Sequence, residues 1–171
     1  MKVYRCRICA EVYIGEEKPK SCPFCGAHER YFVLAKEWRL LHGQALSDIT
    51  KENLKKALDL EINNTNFYKA VSEKSKDVYV ASIFKGLSKV EREHASTICG
   101  HLKIEKPDSK AGLDKAVDSD QANIQEANRR ERSAVKFYGE ASSQAPEEEI
   151  KEFFKALIEI ESDHIILTEQ K

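Results

Sequence analysis

Residues 91–94 read Glu-Arg-Glu-His, and residues 161–164 repeat the pattern as Glu-Ser-Asp-His. In each copy a carboxylate and an imidazole are three positions apart, which places both side chains on one face of an α-helix. Both copies lie in segments whose apolar residues recur at helical spacing, so the pairs point toward the predicted interior. Charged side chains are rarely fully buried unless they are paired or bind a metal. The two stretches therefore predict helices that carry metal ligands on their buried faces.

The two stretches belong to an internal repeat of 70 residues. Glu61 precedes the first pair by 30 residues, and Glu131 precedes the second pair by the same distance. The midpoints of these intervals, residues 76 and 146, coincide with predicted turns. At about 1.5 Å per residue, the two glutamates of each half lie at equal height on facing helices. We therefore expect four carboxylates and two imidazoles at one level of the fold.

Four segments with helical periodicity account for most of the chain after residue 50. Breaks fall near residues 76–77, across 103–115 and at Pro146. The first and third breaks are short and predict antiparallel hairpins, whereas the middle break is long enough to cross the bundle. This pattern predicts a mainly α fold, a four-helix bundle with one long crossover over residues 51–171. Ser47 and Thr50 are the candidate N-caps of the first helix.

The repeated carboxylates and imidazoles fit two divalent metal ions. Four carboxylates balance two divalent cations, and two neutral imidazoles complete the set. Oxygen and nitrogen ligands without thiolate suit iron or manganese, and this constellation is typical of ferritin-like bundles. The predicted ligands are Glu61, Glu91, His94, Glu131, Glu161 and His164. A single copy would leave open that the glutamates are surface residues and the histidines ordinary core or rim residues, but the repeat argues against this interpretation.

Several further residues have a less specific pattern. Tyr68 and Tyr138 follow the repeat and lie two turns beyond a glutamate, where core packing and a hydrogen bond that orients a metal-binding carboxylate both stay open. Cys99 is expected to be a buried, inert thiol. Trp38 is expected to pack between domains or at a subunit contact. The histidines without a partner pattern, expected at the surface or rim, are His28, His42 and His101.

Four of the five cysteines lie within the first 25 residues, as two Cys-x-x-Cys knuckles. They are Cys6, Cys9, Cys22 and Cys25. Two such knuckles can wrap one tetrahedral metal site, and zinc ribbons share this layout with iron sites. We expect a small metal domain of short strands and loops over residues 1–38, joined by a linker over 39–50 to the bundle.

The composition excludes several classes of protein. The chain of 171 residues has 28 Lys and Arg against 29 Asp and Glu, and a net charge of −1. This balance argues against a nucleic-acid partner, which needs a basic face. No apolar run approaches the ~20 residues that span a bilayer, and the N-terminus is too polar for a signal peptide. We therefore expect no membrane association. The five cysteines, four of them clustered, favour metal binding over disulfides, so we expect a cytoplasmic location.

Taken together, these motifs resemble the rubrerythrin family over nearly all of the chain. The knuckles Cys6-Arg-Ile-Cys9 and Cys22-Pro-Phe-Cys25-Gly26 resemble rubredoxin, an iron–tetrathiolate electron carrier. The repeated glutamates and histidines resemble the rubrerythrin di-iron site in a ferritin-like bundle. The rubredoxin-like module comes first here, which is the order in reverse rubrerythrins. The resemblance favours iron over zinc at the cysteines.

The resemblance implies a non-haem di-iron oxidoreductase that reduces hydrogen peroxide, dioxygen or both to water, as an oxidative-stress defence in an anaerobe or microaerophile. Electrons would come from NAD(P)H through a separate reductase and pass through the rubredoxin-like iron. The family is usually a homodimer in which the rubredoxin-like iron of one subunit serves the di-iron site of the other. The alternatives are a ferritin-like iron-storage protein and a zinc-ribbon interaction module on a di-metal bundle. Zinc or manganese in place of iron also stays open.

Two features of the sequence depart from the family's pattern. Ala10 follows the first knuckle where glycine is usual, so a different loop geometry or reduction potential is expected. Asn128 and Ala134 stand where a further carboxylate would lie near Glu131, which leaves a six-ligand set closer to that of ferritin and bacterioferritin. Unless another carboxylate such as Glu126 takes the empty place, we expect reactivity with dioxygen as well as peroxide.

Overall fold

Four long helices form most of the chain in the computed structural model, which describes residues 1–38 and 45–170. The helices are α1, Asp48–Lys74; α2, Val78–Leu102; α3, Asp120–Gln144; and α4, Glu148–Glu169. The hydroxyl of Ser47 accepts a hydrogen bond from the backbone N–H of Thr50 at 3.3 Å, so Ser47 is the N-cap of α1. Asp77 and Ser119 cap α2 and α3 in the same way.

The helices pair as predicted, α1 with α2 and α3 with α4, and a long crossover joins the two hairpins. The crossover lies along α1, where the Asn66 side chain donates hydrogen bonds to the carbonyl oxygens of Ser109 and Ala111. Gly112 has a φ of 96°, and a Cβ there would lie 2.4 Å from the backbone oxygen of Asn63. Only glycine fits this approach. The predicted four-helix bundle with one long crossover is therefore confirmed.

The N-terminal segment is a three-stranded antiparallel sheet with two metal-binding knuckles. Its strands are β1, Lys2–Cys6; β2, Val12–Gly15; and β3, Phe32–Leu34. The order is β2-β1-β3, and Arg5 in the central strand is paired with Val12 on one side and Val33 on the other. Tyr4, Cys6 and Phe32 lie on the buried face of this sheet. The small β/loop domain predicted from the cysteine spacing is thus present.

The small domain packs directly against the bundle, and its buried apolar residues are continuous with those of α2 and α4. A Cβ on Gly26 would lie 3.1 Å from Ile160 in α4, so the second knuckle lies close to the bundle surface. Charged pairs surround this contact. Arg7 lies 2.6 Å from Glu152, and Arg30 is paired with Glu159.

His28 also belongs to this contact, because its Nε2 lies 2.7 Å from Asp163 on α4. His28 thus lies at the rim, as expected, with a side chain that is 36% exposed, and its partner belongs to a distant element that no sequence pattern indicates. The predicted linker overlaps α1 by three residues, because Ser47 starts the helix at Asp48. Residues 39–44, which include His42, lie outside the described residues. None of the described helices combines the length and apolar character needed to span a membrane.

Candidate metal centres

The six side chains that the repeat singled out lie together in the bundle interior. Their ligand atoms form two groups, each with all atoms within 4.8 Å of one another. One group is Glu61, Glu91, His94 and Glu161; the other is Glu91, Glu131, Glu161 and His164. Glu91 and Glu161 belong to both groups, so each is placed to bridge two metal ions. His164 is 8% exposed, whereas the other five are exposed by no more than 1%.

The two imidazoles present the same nitrogen to the carboxylates. His94 Nδ1 lies 2.9 Å from Glu91 and 3.5 Å from Glu161. His164 Nδ1 lies 2.8 Å from Glu161 and 3.3 Å from Glu91. The remaining glutamates, Glu61 and Glu131, are each 3.6 Å from the Nδ1 of their own group's histidine. The 70-residue repeat therefore appears in space as two similar half-sites that share two carboxylates.

The far nitrogen of His94 reaches the small domain. His94 Nε2 lies 2.9 Å from the backbone carbonyl oxygen of Cys25, and both groups are buried. A carbonyl oxygen can only accept, so Nε2 carries a proton and donates it. Metal-binding histidines usually hold their second ring nitrogen in this way, which fixes the ring's orientation. The contact links one candidate metal centre to the other within a single chain.

Several buried polar atoms of the cluster make no well-directed hydrogen bond, even where they lie within ion-pair distance of one another. They are Glu61 Oε2, Glu91 Oε1, Glu131 Oε2, both side-chain oxygens of Glu161, and His164 Nδ1. An unsatisfied buried polar atom costs about 1–3 kcal/mol, and more if it is charged. Two divalent cations would satisfy these atoms and neutralise the carboxylates. The residues therefore fit a pair of metal ions.

Without a bound metal, protons neutralise part of the negative charge of the clustered carboxylates. Burial and the charges of Glu161 and Glu91 raise the pKa of Glu131 to about 8. Burial, followed by the charge of Glu91, raises the pKa of Glu61 well above its usual value. Burial alone would lower the pKa of His94, but the surrounding carboxylates outweigh burial and raise it well above the usual value. The metal-free site therefore holds extra protons near neutral pH, and metal binding releases them.

Two buried tyrosines hold the outer glutamates. The Tyr68 hydroxyl donates a hydrogen bond to Glu131 Oε1 at 2.5 Å, and the Tyr138 hydroxyl donates one to Glu61. Each tyrosine thus contacts the glutamate of the other repeat, not the one two turns earlier on its own helix. Of the two interpretations left open, the structure shows the hydrogen bond to a carboxylate of the cluster.

The four cysteines of the knuckles form the second candidate centre. All four Sγ atoms lie within 4.8 Å of one another, and the Cys6–Cys25 and Cys9–Cys22 sulfur pairs are 3.8 Å apart. A regular tetrahedron with metal–sulfur bonds of about 2.3 Å has an edge of about 3.8 Å, so the sulfurs fit one ion. None of the four forms a disulfide. Hydrogen bonds within the cluster lower the pKa of Cys22 and raise the pKa of Cys9 and Cys25, so without a metal the sulfurs share protons among themselves.

No further carboxylate joins the bundle cluster among the described residues. Ala134 is fully buried, and the Asn128 amide donates to Thr168 at 3.1 Å. Glu126 is paired with Arg129 and Arg130, at 2.7 and 2.8 Å. Glu126 therefore does not take the place that Ala134 leaves empty.

Comparison with known proteins agrees with this arrangement. A rubrerythrin family model matches residues 52–170, and a model of the rubredoxin-like domain of rubrerythrin matches residues 4–33. Reverse rubrerythrin-1 of Clostridium acetobutylicum is 29% identical over 136 residues, which cover 70% of this chain and 73% of the relative. A solved structure of a hypothetical protein from Pyrococcus furiosus has a TM-score of 0.62 at 21% identity, and covers 71% of this chain and 86% of that one. The last similarity concerns the fold alone.

Proposed function

The chain belongs to the rubrerythrin family, whose rubredoxin-like domain here precedes the bundle, and we propose that it reduces hydrogen peroxide, dioxygen or both to water. Family membership supports a di-iron oxidoreductase. The four cysteines would hold one iron, and the two bundle groups would hold the pair. When bound, the bundle irons supply electrons to the oxidant, and the cysteine-bound iron carries the replacement electrons.

The observation that carries the proposal is the hydrogen bond between His94 Nε2 and the Cys25 carbonyl oxygen. Cys25 is a predicted ligand of one centre, and His94 is a predicted ligand of the other. One buried contact of 2.9 Å therefore completes a path of covalent bonds and one hydrogen bond between them. An iron-storage protein or a zinc-ribbon interaction module would have no use for this path.

The remaining residues prepare the site for a small oxidant. Glu91 and Glu161 face both half-sites and would keep the two metals at a fixed separation. The Tyr68 and Tyr138 hydroxyls each hold one oxygen of an outer glutamate, which leaves the second oxygen for a metal. Full burial of these side chains keeps bulk water out, so the carboxylate charges act at full strength.

We also propose the source of the electrons and the assembly. The family resemblance supports an NAD(P)H-dependent reductase as donor, and a homodimer. The resemblance implies that each small domain serves the partner's di-iron site, whereas the Cys25–His94 contact lies within one chain. We therefore propose that electrons pass between the two centres of the same chain.

A stopped-flow experiment tests the proposal. The iron-loaded protein is reduced without oxygen and then mixed with peroxide or with dioxygen, while the visible absorbance of the ferric cysteine site is recorded. We expect the absorbance to return promptly with at least one oxidant, and more slowly in a His94→Gln variant. Stoichiometric zinc on the cysteines, or re-oxidation that is equally fast without bundle iron, would overturn the proposal.

A further inference from the structure

Ala10 has a backbone conformation that glycine normally fills. Its φ is 63°, close to the 80° of Gly26 at the equivalent position of the second knuckle. In this left-handed region a Cβ lies too near the following carbonyl oxygen, so the conformation is unfavourable for alanine. Glycine has no such penalty. The first knuckle therefore contains a strained residue that the second knuckle avoids.

The strained residue closes the metal-binding turn. The Ala10 N–H donates to the Cys6 carbonyl oxygen at 3.0 Å, and the Gly26 N–H donates to the Cys22 carbonyl oxygen at 2.9 Å. The two knuckles thus have the same geometry in spite of the different residue. If Ala10 relaxed to an ordinary conformation, this hydrogen bond would be lost, and Cys9 would move relative to Cys6.

Arg5 contacts Ala10 through a directed hydrogen bond. Its Nε–H donates to the Ala10 carbonyl oxygen at 2.7 Å. Arg5 lies in the central strand of the sheet, where both neighbouring strands fix its backbone. Its guanidinium carbon lies 3.7 Å from the centre of the Trp38 ring. The strand and the ring therefore hold the guanidinium where it meets the strained peptide.

We propose that Arg5, held by Trp38, is a positioning residue that keeps Ala10 in its left-handed conformation and so keeps Cys6 and Cys9 in place for the metal. The second knuckle has glycine at this position, and Ser21 where the first has Arg5. In the first knuckle, Arg5 and Trp38 thus stabilise the left-handed conformation that glycine adopts without strain in the second knuckle. Trp38, which is half-buried, packs on Arg5 of the small domain.

The test compares metal release from the cysteine site in four forms of the iron-loaded full chain: unchanged, Arg5→Met, Ala10→Gly, and both substitutions together. The readout is the first-order loss of ferric–thiolate absorbance in excess chelator. Because Arg5→Met removes the support of a strained residue, it should speed release about tenfold. With Ala10→Gly present, the same change should have less than about a twofold effect, because there is no strain left to support.

Arg30→Met serves as the matched control, because Arg30 lies in the same domain and pairs with Glu159 on the bundle. It should leave the release rate unchanged. An equal effect of Arg5→Met with and without Ala10→Gly would overturn the proposal. If Arg5→Met alone fails to fold, recovery of folded protein with ferric–thiolate absorbance in the double variant supports the proposal. Continued failure to fold overturns it.

Discussion

The hydroxyl of Tyr138 on α3 donates its hydrogen bond to Glu61 on α1, across the interface between the two halves of the bundle. Tyr68 makes the reciprocal contact with Glu131. Each half of the repeat therefore supplies the donor that holds the other half's outer glutamate. The two halves depend on each other in the site itself as well as in the surrounding core.

Tyr138→Phe removes this donor and leaves a buried oxygen of Glu61 without a partner. We expect the variant to bind iron in the bundle about 10–100-fold more weakly, the usual effect of losing a residue that orients a metal ligand. Titration of the metal-free protein with ferrous iron measures this. Tyr13→Phe, in the small sheet, is the control and should bind bundle iron normally. Equal iron affinity in both variants would contradict the assigned role of Tyr138.

Glu91→Ala and Glu161→Ala each remove a carboxylate that belongs to both half-sites. We expect either change to abolish the reduction of peroxide and dioxygen, because neither metal keeps its full set of oxygen ligands. The visible spectrum of the cysteine site should persist, since that centre has its own ligands. Glu93→Ala, on the same helix but outside both groups, is the control. Normal turnover in both shared-carboxylate variants would show that the bundle is not the reaction centre.

Ala134→Glu restores a carboxylate one turn from Glu131, on the same face of α3. We expect the native protein to reduce dioxygen readily as well as peroxide, and the variant to shift its preference toward peroxide. NADH-coupled consumption of each oxidant, with a suitable reductase, measures the ratio of the peroxide rate to the dioxygen rate. Ala134→Gln has a similar volume without the charge, so it separates crowding from coordination. A native protein that already reduces peroxide at least about a hundredfold faster than dioxygen, a difference of roughly 2.7 kcal/mol in barrier, would contradict the expectation.

The metal-free protein should lose stability as the pH rises. Burial and the charges of Glu161 and Glu91 raise the pKa of Glu131 to about 8 in the folded state, against about 4.3 for a glutamate in an unfolded chain. Between these values the folded state binds more protons than the unfolded state, so stability falls with increasing pH. The raised pKa values of His94 and His164 act in the same direction. Thermal unfolding of the metal-free protein at pH 5.5 and 8.5 should therefore show the lower midpoint at pH 8.5.

The control for this measurement is Glu131→Gln, which removes one of the groups that bind extra protons. Its unfolding temperature should fall less between the two pH values than that of the unchanged chain. The depressed pKa of Glu91 acts in the opposite direction, and its contribution is lost only in acid. A midpoint that rises from pH 5.5 to 8.5 would contradict the protonated, metal-free site.

Electron transfer within one chain predicts a failure of complementation. One variant, Glu91→Ala/Glu161→Ala, lacks the bundle site, and another, Cys6→Ala/Cys9→Ala, lacks the cysteine site. In the homodimer that we propose, mixed dimers of the two variants should show no more activity than either parent, because no chain has both centres. Activity near half that of the native dimer would instead indicate transfer between subunits. Native mass spectrometry confirms that mixed dimers form.

The grouping of the six bundle side chains could be predicted from sequence because helical spacing and a repeat are local patterns. Residues three apart on a helix share a face whatever surrounds them, and the 70-residue shift matched the two halves. The same patterns say which way a side chain points but not what it meets. The contacts of Tyr138 with Glu61, His94 with Cys25 and His28 with Asp163 all join distant elements, so no spacing rule could find them.

Ala10 is a second example of what the sequence does not predict. The sequence shows the departure from glycine, which predicts a different loop geometry or a different reduction potential. The structure keeps the geometry of the second knuckle, with a positive φ at Ala10, so the different reduction potential stays a prediction. Arg5, five residues earlier near the end of β1, donates a hydrogen bond to the Ala10 carbonyl oxygen, and we propose that this contact supports the unfavourable conformation.

The acceptor that faces His94 is a backbone carbonyl, and this has an evolutionary consequence. A point mutation can replace a side chain but cannot delete a main-chain oxygen. Drift among the side chains around the second knuckle therefore leaves the acceptor in place as long as the knuckle folds. Of the two groups in the contact, only the imidazole of His94 can be removed by a single substitution. A lineage could thus remodel the surface of its small domain for new electron donors and still inherit the connection to the bundle.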